Sequence, residues 1–496
     1  MGPPTTTFAP APAPVPMEIE EGIIRGDAAD AGNPVMKKQK SVFTTDLLRQ
    51  YYARLFPYNA MFRWLSYGQD PALAKENPGI VDKDFFMRRE FSFTIANDIY
   101  IRYLCFRNEA ELREAIQKKQ PHKIDIGAVY SAPPKDHLTV KASAFKPVER
   151  ELVFDIDLTD YDEVRTGCTP DMMWEKGSWL YMSCAVKVVD AALRDDFGFK
   201  HLLWVFSGRR GVHCWVCDES ARQLTDQERT AIVNYLTLIT GNSNTSNRVG
   251  LSTPMHPAIE RALPMLEDVF TSMVLPASGQ GLLLDAKRWN KVLNMIPDPS
   301  VRESLDQEWQ KAEDIRAKRG GSVDGVCKKR WGQLKATVDQ KCKKLRKRSK
   351  NFKDRDAAEA LERSPTQILI LHTYPRLDVN VSTHRNHLLK SPFVIHPKTG
   401  KVCVPIFDVA NCHEFDPDHV PNLVTLLQEI DAFDANANKD GDEASAKRRK
   451  IDDFEKTSLK PFVDTFNKKF LGPMYNEFRA RFRSMGESKA ATTGNW

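Results

Sequence analysis

The segment that most constrains the fold of this 496-residue chain is an apolar run broken by two aspartates, ELVFDIDL at 151–158. A short run of this kind predicts a buried β-strand. Side chains two positions apart in a strand lie on one face, so Asp155 and Asp157 are expected side by side. Neighbouring carboxylates in apolar surroundings repel each other and lose hydration, and a divalent cation between them offsets both costs. The alternative is a strand end that exposes both aspartates to water.

A further acid lies far along the chain, in the stretch LDVNV at 377–381. The β-branched residues of this stretch predict a second strand, in which Asp378 is the lone acid. If the two strands converge, Asp378 completes a three-carboxylate site of the oxygen-rich kind that Mg²⁺ and Mn²⁺ prefer. A hydrogen-bonded structural aspartate is the alternative. Strand character returns at 401–406, after the turn HPKTG at 396–400.

Cationic side chains gather at a glycine-flanked turn, SGRRG at 207–211, between the predicted strands 201–206 and 212–216. Glycine permits close backbone approach, and the arginine guanidinium can bind two phosphate oxygens at once. The later part of the chain offers donors of a similar kind. The candidate phosphate-binding residues are Arg209, Arg210, His213, Lys390 and His396. Alternatively, the turn belongs to an ordinary hairpin with exposed arginines.

Composition divides the chain into five segments. Helical periodicity at 46–55, short β-rich runs over 91–153 and the capping box TDQE at 225–228 locate the main changes of character. The predicted segments are a disordered tail (1–40), the first part of an α/β core (41–220), a helical insertion (221–365), the second part of the core (366–420), and C-terminal helical segments and a tail (421–496) with a loose charged linker at 431–453. An α/β core split in sequence by helices is therefore expected.

Charge is distributed unevenly along the chain. Residues 316–353 hold fifteen Lys and Arg against Asp324 and Asp339, a local balance of +13 in a chain whose total is +6. Such a stretch suits phosphate groups, although a solvated charged helix is the alternative. No apolar run reaches the roughly 18 residues that a membrane helix needs. The nine scattered cysteines, without a signal peptide, predict a reducing intracellular compartment.

Several motifs, taken in order, carry a resemblance to a known family. They are YYARLFPYNAMFRWLSYG, RREFSF, DIYIRY, KIDIGAVYS, ELVFDIDLTDYDEVR, DFGFKHLLWVFSGRRGVHCWVCDES, YPRLDVNVS and NHLLKSPFVIHPKTGKVCVPI. Together they resemble the small catalytic subunit of archaeo-eukaryotic primases in its eukaryotic form. The resemblance extends over about 42–417 and returns weakly at KTSLKPFVDTF. It implies a mixed α/β (α+β) core with an RRM-like sheet, interrupted by a helical subdomain.

The resemblance also implies an activity and a set of site residues. The activity is DNA-templated synthesis of short RNA primers for DNA replication, by nucleotidyl transfer with two Mg²⁺ or Mn²⁺ ions. Asp155, Asp157 and Asp378 resemble the metal-binding catalytic triad. The segments of the chain that resemble nucleotide-contacting and cleft-lining segments contain Ser207, Arg209, Arg210, His213, His387 to Lys390, His396, Glu90, Tyr100, Arg102, Lys123 and Asp125. By the same resemblance, Asp125 is expected to face the ribose hydroxyls.

One part of the sequence departs from the family pattern. After the position of Arg165 the family carries a structural zinc motif, two adjacent cysteines followed by a C-x-x-C pair, whereas residues 166–179 here retain only Cys168. Structural zinc needs four sulfur or nitrogen ligands, so no zinc site is predicted. Cys184 is expected to be buried in the following helix, and Cys214 and Cys217 to point to opposite faces of a strand. Either the loop is stabilised without metal, or a misread coding boundary altered it; the abrupt break favours the second.

By resemblance, the expected partners are the iron–sulfur large subunit of primase, DNA polymerase α subunits, a single-stranded DNA template and ribonucleoside triphosphates, with no membrane. The basic run KRRK at 447–450 fits nuclear import. Two alternatives stay open. The chain could be a non-catalytic subunit that binds nucleic acid through 316–353, or a repair polymerase of the same superfamily.

Overall fold

The fold was analysed in a computed structural model, which describes residues 43–77, 79–165, 177–242, 245–348, 352–439 and 451–493. Side chains at 240–248, 348–353, 437–439 and 490–493 are not described. Three segments discussed above lie outside the described residues. They are the predicted tail at 1–40, residues 166–176 of the segment that departs from the family pattern, which include Cys168, and the basic run at 447–450. None of the described helices combines the length and apolar character needed to cross a membrane.

In the first part of the α/β core, the described residues form nine strands and α-helices before residue 158. They form four further strands and α-helices between residues 177 and 223. The first set is α1 Thr45–Arg54, α2 Tyr58–Ser66, α3 Pro71–Glu76, β1 Arg89–Ile95, β2 Ile99–Leu104, α4 Glu109–Lys119, β3 Lys123–Tyr130, β4 Pro147–Glu149 and β5 Leu152–Asp157. The second set is α5 Trp179–Ala191, β6 Leu202–Phe206, β7 Gly211–Val216 and α6 Glu219–Gln223. The predicted strand pair around the SGRRG turn is thus confirmed.

Helices dominate the middle of the chain, as the sequence predicted. Thr225 and Glu228 form the expected reciprocal capping box at the start of the first of them. The described elements are α7 Asp226–Leu236, β8 Ile239–Asn242, β9 Thr245–Val249, α8 Pro257–Val269, α9 Ala286–Leu293, α10 Pro299–Arg319, α11 Val326–Arg348 and α12 Phe352–Thr373. The β8–β9 hairpin was not predicted.

The last part of the chain returns to the core. Its elements are α13 Val379–Thr383, β10 Leu389–Lys390, β11 Pro405–Ile406, α14 Leu423–Lys439, α15 Lys460–Thr465 and α16 Gly472–Thr493. α15 and α16 are joined by a π-helical segment at 466–471, and Phe466 and Phe470 in it pack edge-on against Trp64 of α2. The C-terminal helices therefore pack against the N-terminal helices and contribute side chains to the same hydrophobic core.

Two antiparallel sheets build the core, and each takes one strand from the last part of the chain. The first has the order β10–β3–β1–β2, with β4 also paired to β3, and the second has the order β11–β6–β7–β5. In the second sheet, Asp155 pairs with His213 and Asp157 with Gly211. All five residues of β6 and all six of β7 are buried, which makes this sheet a rigid support for the end of β5.

The strand predicted at 377–381 is wrong. Val379–Thr383 form helix α13, and Asp378 is its N-cap, whose Oδ1 accepts a hydrogen bond from the Asn380 backbone N–H at 3.1 Å. Asp is among the best N-cap residues, and here the cap outweighs the β-propensity of the valines. The strand predicted at 401–406 is reduced to Pro405–Ile406 and two isolated bridges, Ile395 with Val402 and Lys401 with Asn422.

Two other local predictions need correction. The run of strands and turns predicted over 91–153 contains the helix α4, whose only buried side chains are Leu112 and Ile116, so its apolar periodicity is weak. The linker predicted at 431–453 is helical up to Lys439 because α14 continues, with Leu426 and Ile430 buried on its inner face. The predicted burial of Cys184 in a helix is confirmed.

Cys214 and Cys217 are both buried. The thiol of Cys217 accepts a hydrogen bond from the Trp64 indole at 3.4 Å, whereas Cys214 lies beside Asp190 of α5. The two thiols thus lie beside different helices, α2 and α5, and Cys217 follows directly after the end of β7 at Val216.

Candidate active site

A cavity of about 420 Å³ opens where the ends of both sheets meet, and we call it the site cavity. Its lining residues are Tyr100, Arg102, Lys123, Asp125, Asp155, Asp157, Ser207, Arg209, Arg210, His213, Val381, Asn386, His387, Leu388, Leu389, Lys390 and His396. All the residues singled out from the sequence are among them except Asp378 and Glu90. Strands and turns distant in sequence therefore bring carboxylates and cations to one cavity.

The carboxylates of β5 lie at the acidic end of the cavity. The side chains of Asp155 and Asp157 retain 31% and 35% exposure, while the residues between and before them are buried. Burial, reinforced by the negative charges of Asp157 and Asp378, raises the pKa of Asp155 to about 7. The charge of Lys390 opposes this rise only in part, so a bound cation would favour the ionised form of Asp155.

Asp157 has a different environment on the same strand face. Its Oδ1 accepts hydrogen bonds from the Thr159 backbone N–H at 2.9 Å and hydroxyl at 2.8 Å, and its Oδ2 accepts one from Arg210 Nε at 3.0 Å. Burial alone would raise the pKa of Asp157, but these hydrogen bonds and the arginine lower it below the usual value. Asp157 is therefore ionised and held in a fixed orientation.

A backbone hydrogen bond connects Asp378 to the acidic end of the cavity. Its N–H donates to the carbonyl oxygen of Asp155 at 3.1 Å, while its carboxylate caps α13. Asp160, which the sequence reasoning did not single out, adds a fourth carboxylate whose Oδ2 accepts from the Asp157 N–H at 3.3 Å. Burial and the charges of Asp157 and Asp378 raise the pKa of Asp160.

These carboxylates match the chemistry of a hard divalent cation, although they are not preassembled as a cage. Within the described ranges, no three His, Cys, Asp or Glu side chains are grouped closely enough to hold a metal ion. Asp157 and Asp378 are directed to Arg210 and to the α13 N-terminus instead. The raised pKa of Asp155 and the all-oxygen donor set nevertheless fit Mg²⁺ or Mn²⁺.

His213 stands behind Asp155 on β7. Its Nε2 lies 3.5 Å from Asp155 Oδ1, and the side chain is 6% exposed. Burial and the charge of Lys390 lower the pKa of His213 to about 3, so the imidazole is neutral at physiological pH. The buried Nδ1 has no hydrogen-bond partner among the described residues.

The SGRRG turn is fixed by two reciprocal hydrogen bonds. The Ser207 N–H donates to Gly211 O at 2.9 Å, and the Gly211 N–H donates to Ser207 Oγ at 3.0 Å. Gly208 has φ +86°, and a Cβ there would lie 2.7 Å from the His396 Cβ. A Cβ at Gly211 would lie 2.6 Å from the carbonyl oxygen of Ile156. Glycine at both positions therefore lets the turn pack against β5 and the last part of the core.

Lys390 brings further positive charge to the turn, and the uncharged ring of His396 lies beside it. In the sheet register, Lys390 of β10 lies opposite Asp125 of β3. The Lys390 Nζ donates a hydrogen bond to Ser207 O at 3.2 Å. Burial and the neighbouring cations Lys390 and Arg209 lower the pKa of His396 to about 3. A site in which cations repel an extra proton is one that favours a bound anion.

The opposite wall of the cavity comes from the first sheet. Asp125 Oδ2 accepts a hydrogen bond from Ser92 Oγ at 3.0 Å. Burial raises the pKa of Asp125, although the charge of Lys123 opposes that shift. Tyr100, on the edge strand β2, is 52% exposed. A polar wall with an acceptor in a fixed position faces the cationic turn.

Glu90 does not line the cavity, in contrast to the expectation for its segment. It is fully buried and accepts a hydrogen bond from Arg102 Nε at 3.0 Å, and Arg102 in turn donates to the carbonyl of Asn386 at 3.3 Å. The sequence reasoning also missed Asn386 and Val381 as lining residues. Asn386 directly precedes the predicted His387, which was the available signal.

Comparisons with known proteins agree with this arrangement. A family model described as DNA primase small subunit matches residues 154–407. The DNA primase small subunit of Drosophila melanogaster is 42% identical over 417 residues, which cover 84% of this chain and 88% of that protein. Those of Schizosaccharomyces pombe and Saccharomyces cerevisiae are 37% and 33% identical, covering 82% and 84% of this chain and 82% and 88% of theirs. The chain belongs to the DNA primase small-subunit family.

Proposed function

We propose that this chain is the catalytic subunit of a primase that synthesises short RNA primers on single-stranded DNA. The reaction is attack of a 3′-hydroxyl on the α-phosphate of a ribonucleoside triphosphate, with pyrophosphate as the leaving group. The observation that carries the proposal is the site cavity itself, in which carboxylates of β5 face the cationic SGRRG turn. Family membership supports the same activity.

The acidic end of the site cavity would hold the metal ions. Asp155, Asp157 and Asp378 supply the carboxylate oxygens, with Asp160 beside them. Bound Mg²⁺ or Mn²⁺ supplies Lewis-acid chemistry that makes the attacking hydroxyl more acidic and stabilises the leaving oxygens. Before any ligand binds, Arg210 pairs with Asp157, which orients this acid and favours its ionised form.

The basic residues bind and orient the triphosphate. Arg209 and Arg210 project from the fixed turn, and Lys390 approaches from β10. Ser207, His213, His387 and His396 add uncharged polar contacts, since the pKa values of the histidines are lowered. Asp125 is placed across the cavity to accept a hydrogen bond from a ribose hydroxyl, a contact that favours ribonucleotides because deoxyribose lacks the 2′-OH.

The proposed assembly extends beyond this chain. A small subunit implies a larger partner, and we propose that this is an iron–sulfur primase subunit in a complex with DNA polymerase α. The chain has no cysteine arrangement suited to such a cluster in its sequence, so initiation is expected to need the partner. Nuclear localisation through the KRRK run belongs to the same proposal, as does the expectation that the sequence 166–179, with Cys168 as its one cysteine, provides no zinc site.

Primer synthesis on an unprimed single-stranded template tests the proposal. The assay compares the wild-type chain with Asp157→Ala, each with the large subunit, ribonucleotides and Mg²⁺ or Mn²⁺. We expect primers from the wild type and none above background from the variant. Equal synthesis by both would contradict the assignment of Asp157. Extension of supplied primers without synthesis on unprimed template would favour a repair polymerase, and no wild-type synthesis in either format would favour a non-catalytic subunit.

A further inference from the structure

A strongly cationic surface of the described chain lies outside the site cavity, on helix α11. This helix has 23 residues and a length of about 35 Å. None of its residues lines the site cavity. The charge imbalance seen at 316–353 is therefore not explained by triphosphate binding.

One face of α11 is fixed to the surrounding helices. Cys327, Trp331 and Leu334 are among its buried residues. Arg330 of this helix is buried and donates from Nη1 to the carbonyl oxygens of Leu283 and Leu284 at 2.9 and 2.8 Å. Arg330 is consequently a structural residue, and the opposite face of α11 must point to solvent.

The outward face carries nearly all of the remaining charge. Its exposed cations are Lys328, Lys329, Lys335, Lys343, Lys344, Arg346 and Lys347, and its one exposed acid is Asp339. Lys343 pairs with Asp339 at 2.6 Å, and Arg346 pairs with Glu362 of α12 at 2.5 Å. Among the described residues, the other five cations have no ion pair. We call Lys328, Lys329, Lys335, Lys344 and Lys347 the α11 lysines.

The α11 lysines are spread over the solvent side of the helix rather than gathered at one point. At about 100° per residue, Lys329 and Lys347 lie near the middle of that side, while Lys335 and Lys344 lie on its opposite flanks. Lys328 and Lys347 are 19 positions apart, which corresponds to about 28 Å along the helix. Gly332 lies between Lys328 and Lys335, and no described atom is within 4 Å of the position that a Cβ would take there. The helix backbone is thus open to close approach in the middle of its basic face.

We propose that the α11 lysines bind the phosphate backbone of the single-stranded DNA template outside the site cavity. This inference rests on the proposed function, since it takes the template as ligand. Exposed lysines without ion pairs among the described residues, spread over the solvent side of a long helix, suit a flexible polyanion, and such contacts bind without regard to base sequence.

An acidic peptide is the less suitable occupant. The neighbouring apolar groove of about 630 Å³, lined by Leu275, Pro276 and Trp331, touches only Lys328 and Lys335 of the α11 lysines. A peptide seated there would leave Lys344 and Lys347 without a partner. A flexible single strand that crosses the solvent side of the helix can reach lysines near both of its ends.

The test measures binding of 5′-labelled oligo(dT) as a function of salt by the complex containing the large subunit. The test variant is Lys328→Ala/Lys335→Ala/Lys347→Ala. A matched control, Lys75→Ala/Lys118→Ala/Lys119→Ala, removes three exposed lysines from α3 and α4. We expect the test variant to bind about 10-fold or more weakly at 0.1 M salt, and its slope of log affinity against log salt to be shallower by about 2. The control is expected to match the wild type.

The inference is overturned if the test variant keeps the wild-type affinity and slope, or if the control weakens binding equally. Primer synthesis by the test variant at saturating template is expected at the wild-type rate, because its substitutions leave the site cavity intact. Asp157→Ala separates the two proposals. It is expected to bind oligo(dT) normally without making primers, so failure of the proposed activity and failure of the α11 contact give different results.

Discussion

Asp155 is expected to reduce the stability of the metal-free protein, because its charge is poorly tolerated where it lies. Burial and two neighbouring acids raise the pKa of Asp155 from 3.8 to about 7, a difference that corresponds to roughly 4 kcal/mol at most. Since the side chain is 31% exposed, solvent screening reduces the effect. We expect Asp155→Asn, which removes the charge and keeps the shape, to raise the free energy of unfolding by about 1 to 3 kcal/mol at pH 8.

The pH dependence follows from the direction of the shift. The folded protein holds the Asp155 proton more tightly than the unfolded chain does, so this group makes stability fall as pH rises from about 4 to about 7. Above about pH 7, the loss of folding stability caused by Asp155 is complete and no longer changes with pH. The advantage of Asp155→Asn is therefore full at pH 8, about half as large near pH 5.5, and absent near pH 4.

Urea unfolding in EDTA, followed by tryptophan fluorescence at pH 8 and pH 5.5, measures this difference. Asp157→Asn is the control variant on the same strand face. It should lower the free energy of unfolding, because Arg210 and Thr159 stabilise the Asp157 carboxylate of the wild type. Added Mg²⁺ should stabilise the wild type more than Asp155→Asn. A variant that is no more stable than the wild type at pH 8, or whose advantage does not shrink at pH 5.5, would refute the reasoning.

Three further changes test other parts of the structure. Glu151→Gln leaves Arg89 and Arg150, which contact Glu151 at 2.8 and 2.9 Å, buried without their counter-charge, and should cost about 3 to 5 kcal/mol in urea unfolding; the exposed Glu114→Gln should be neutral. Because the pKa of Glu151 is lowered in the fold, through Arg89 and Arg150 and against the effect of burial, its contribution should be present at neutral pH and lost as pH falls below about 4.5. Gly211→Ala should lower thermal stability by about 1 to 3 kcal/mol and impair synthesis, since its Cβ would meet the Ile156 carbonyl, whereas Gly332→Ala should be tolerated; equal melting temperatures for both would contradict the packing argument. Asp125→Ala should raise the KM for ATP about 10-fold with little effect on dATP incorporation, and an equal effect on both nucleotides would exclude a contact to the 2′-OH.

Local sequence patterns predicted the structure correctly where a feature lies within a single strand, turn or helix cap. The period of a strand placed Asp155 and Asp157 on one face, and the glycine spacing of SGRRG indicated a tight turn, both of which the structure contains. These features depend on residues within a few positions of one another. The same holds for the capping box at Thr225.

Features that depend on distant contacts were harder to predict. LDVNV has the composition of a strand, but Asp378 caps a helix, and its N–H bonds to Asp155 from 223 positions away. Glu90 carries the same charge as the site acids, yet it is buried behind Arg102, and sequence alone does not distinguish a residue in the cavity wall from one that supports it. The roles of these residues in catalysis stay predictions.

The central claim is that carboxylates from both parts of the core form one nucleotidyl-transfer site, and Asp378→Asn tests it most directly. Asn is as good a helix N-cap as Asp, so α13 should persist while the charge needed for metal binding is lost. Asp285→Asn, at the N-cap of α9, is the matched control outside the site cavity. With the large subunit and Mg²⁺, we predict that Asp378→Asn lowers the rate of primer synthesis by about 1,000-fold or more, in line with losses seen when a group that stabilises transition-state charge is removed, and that Asp285→Asn leaves it unchanged. Primer synthesis by Asp378→Asn at the wild-type rate would contradict the account.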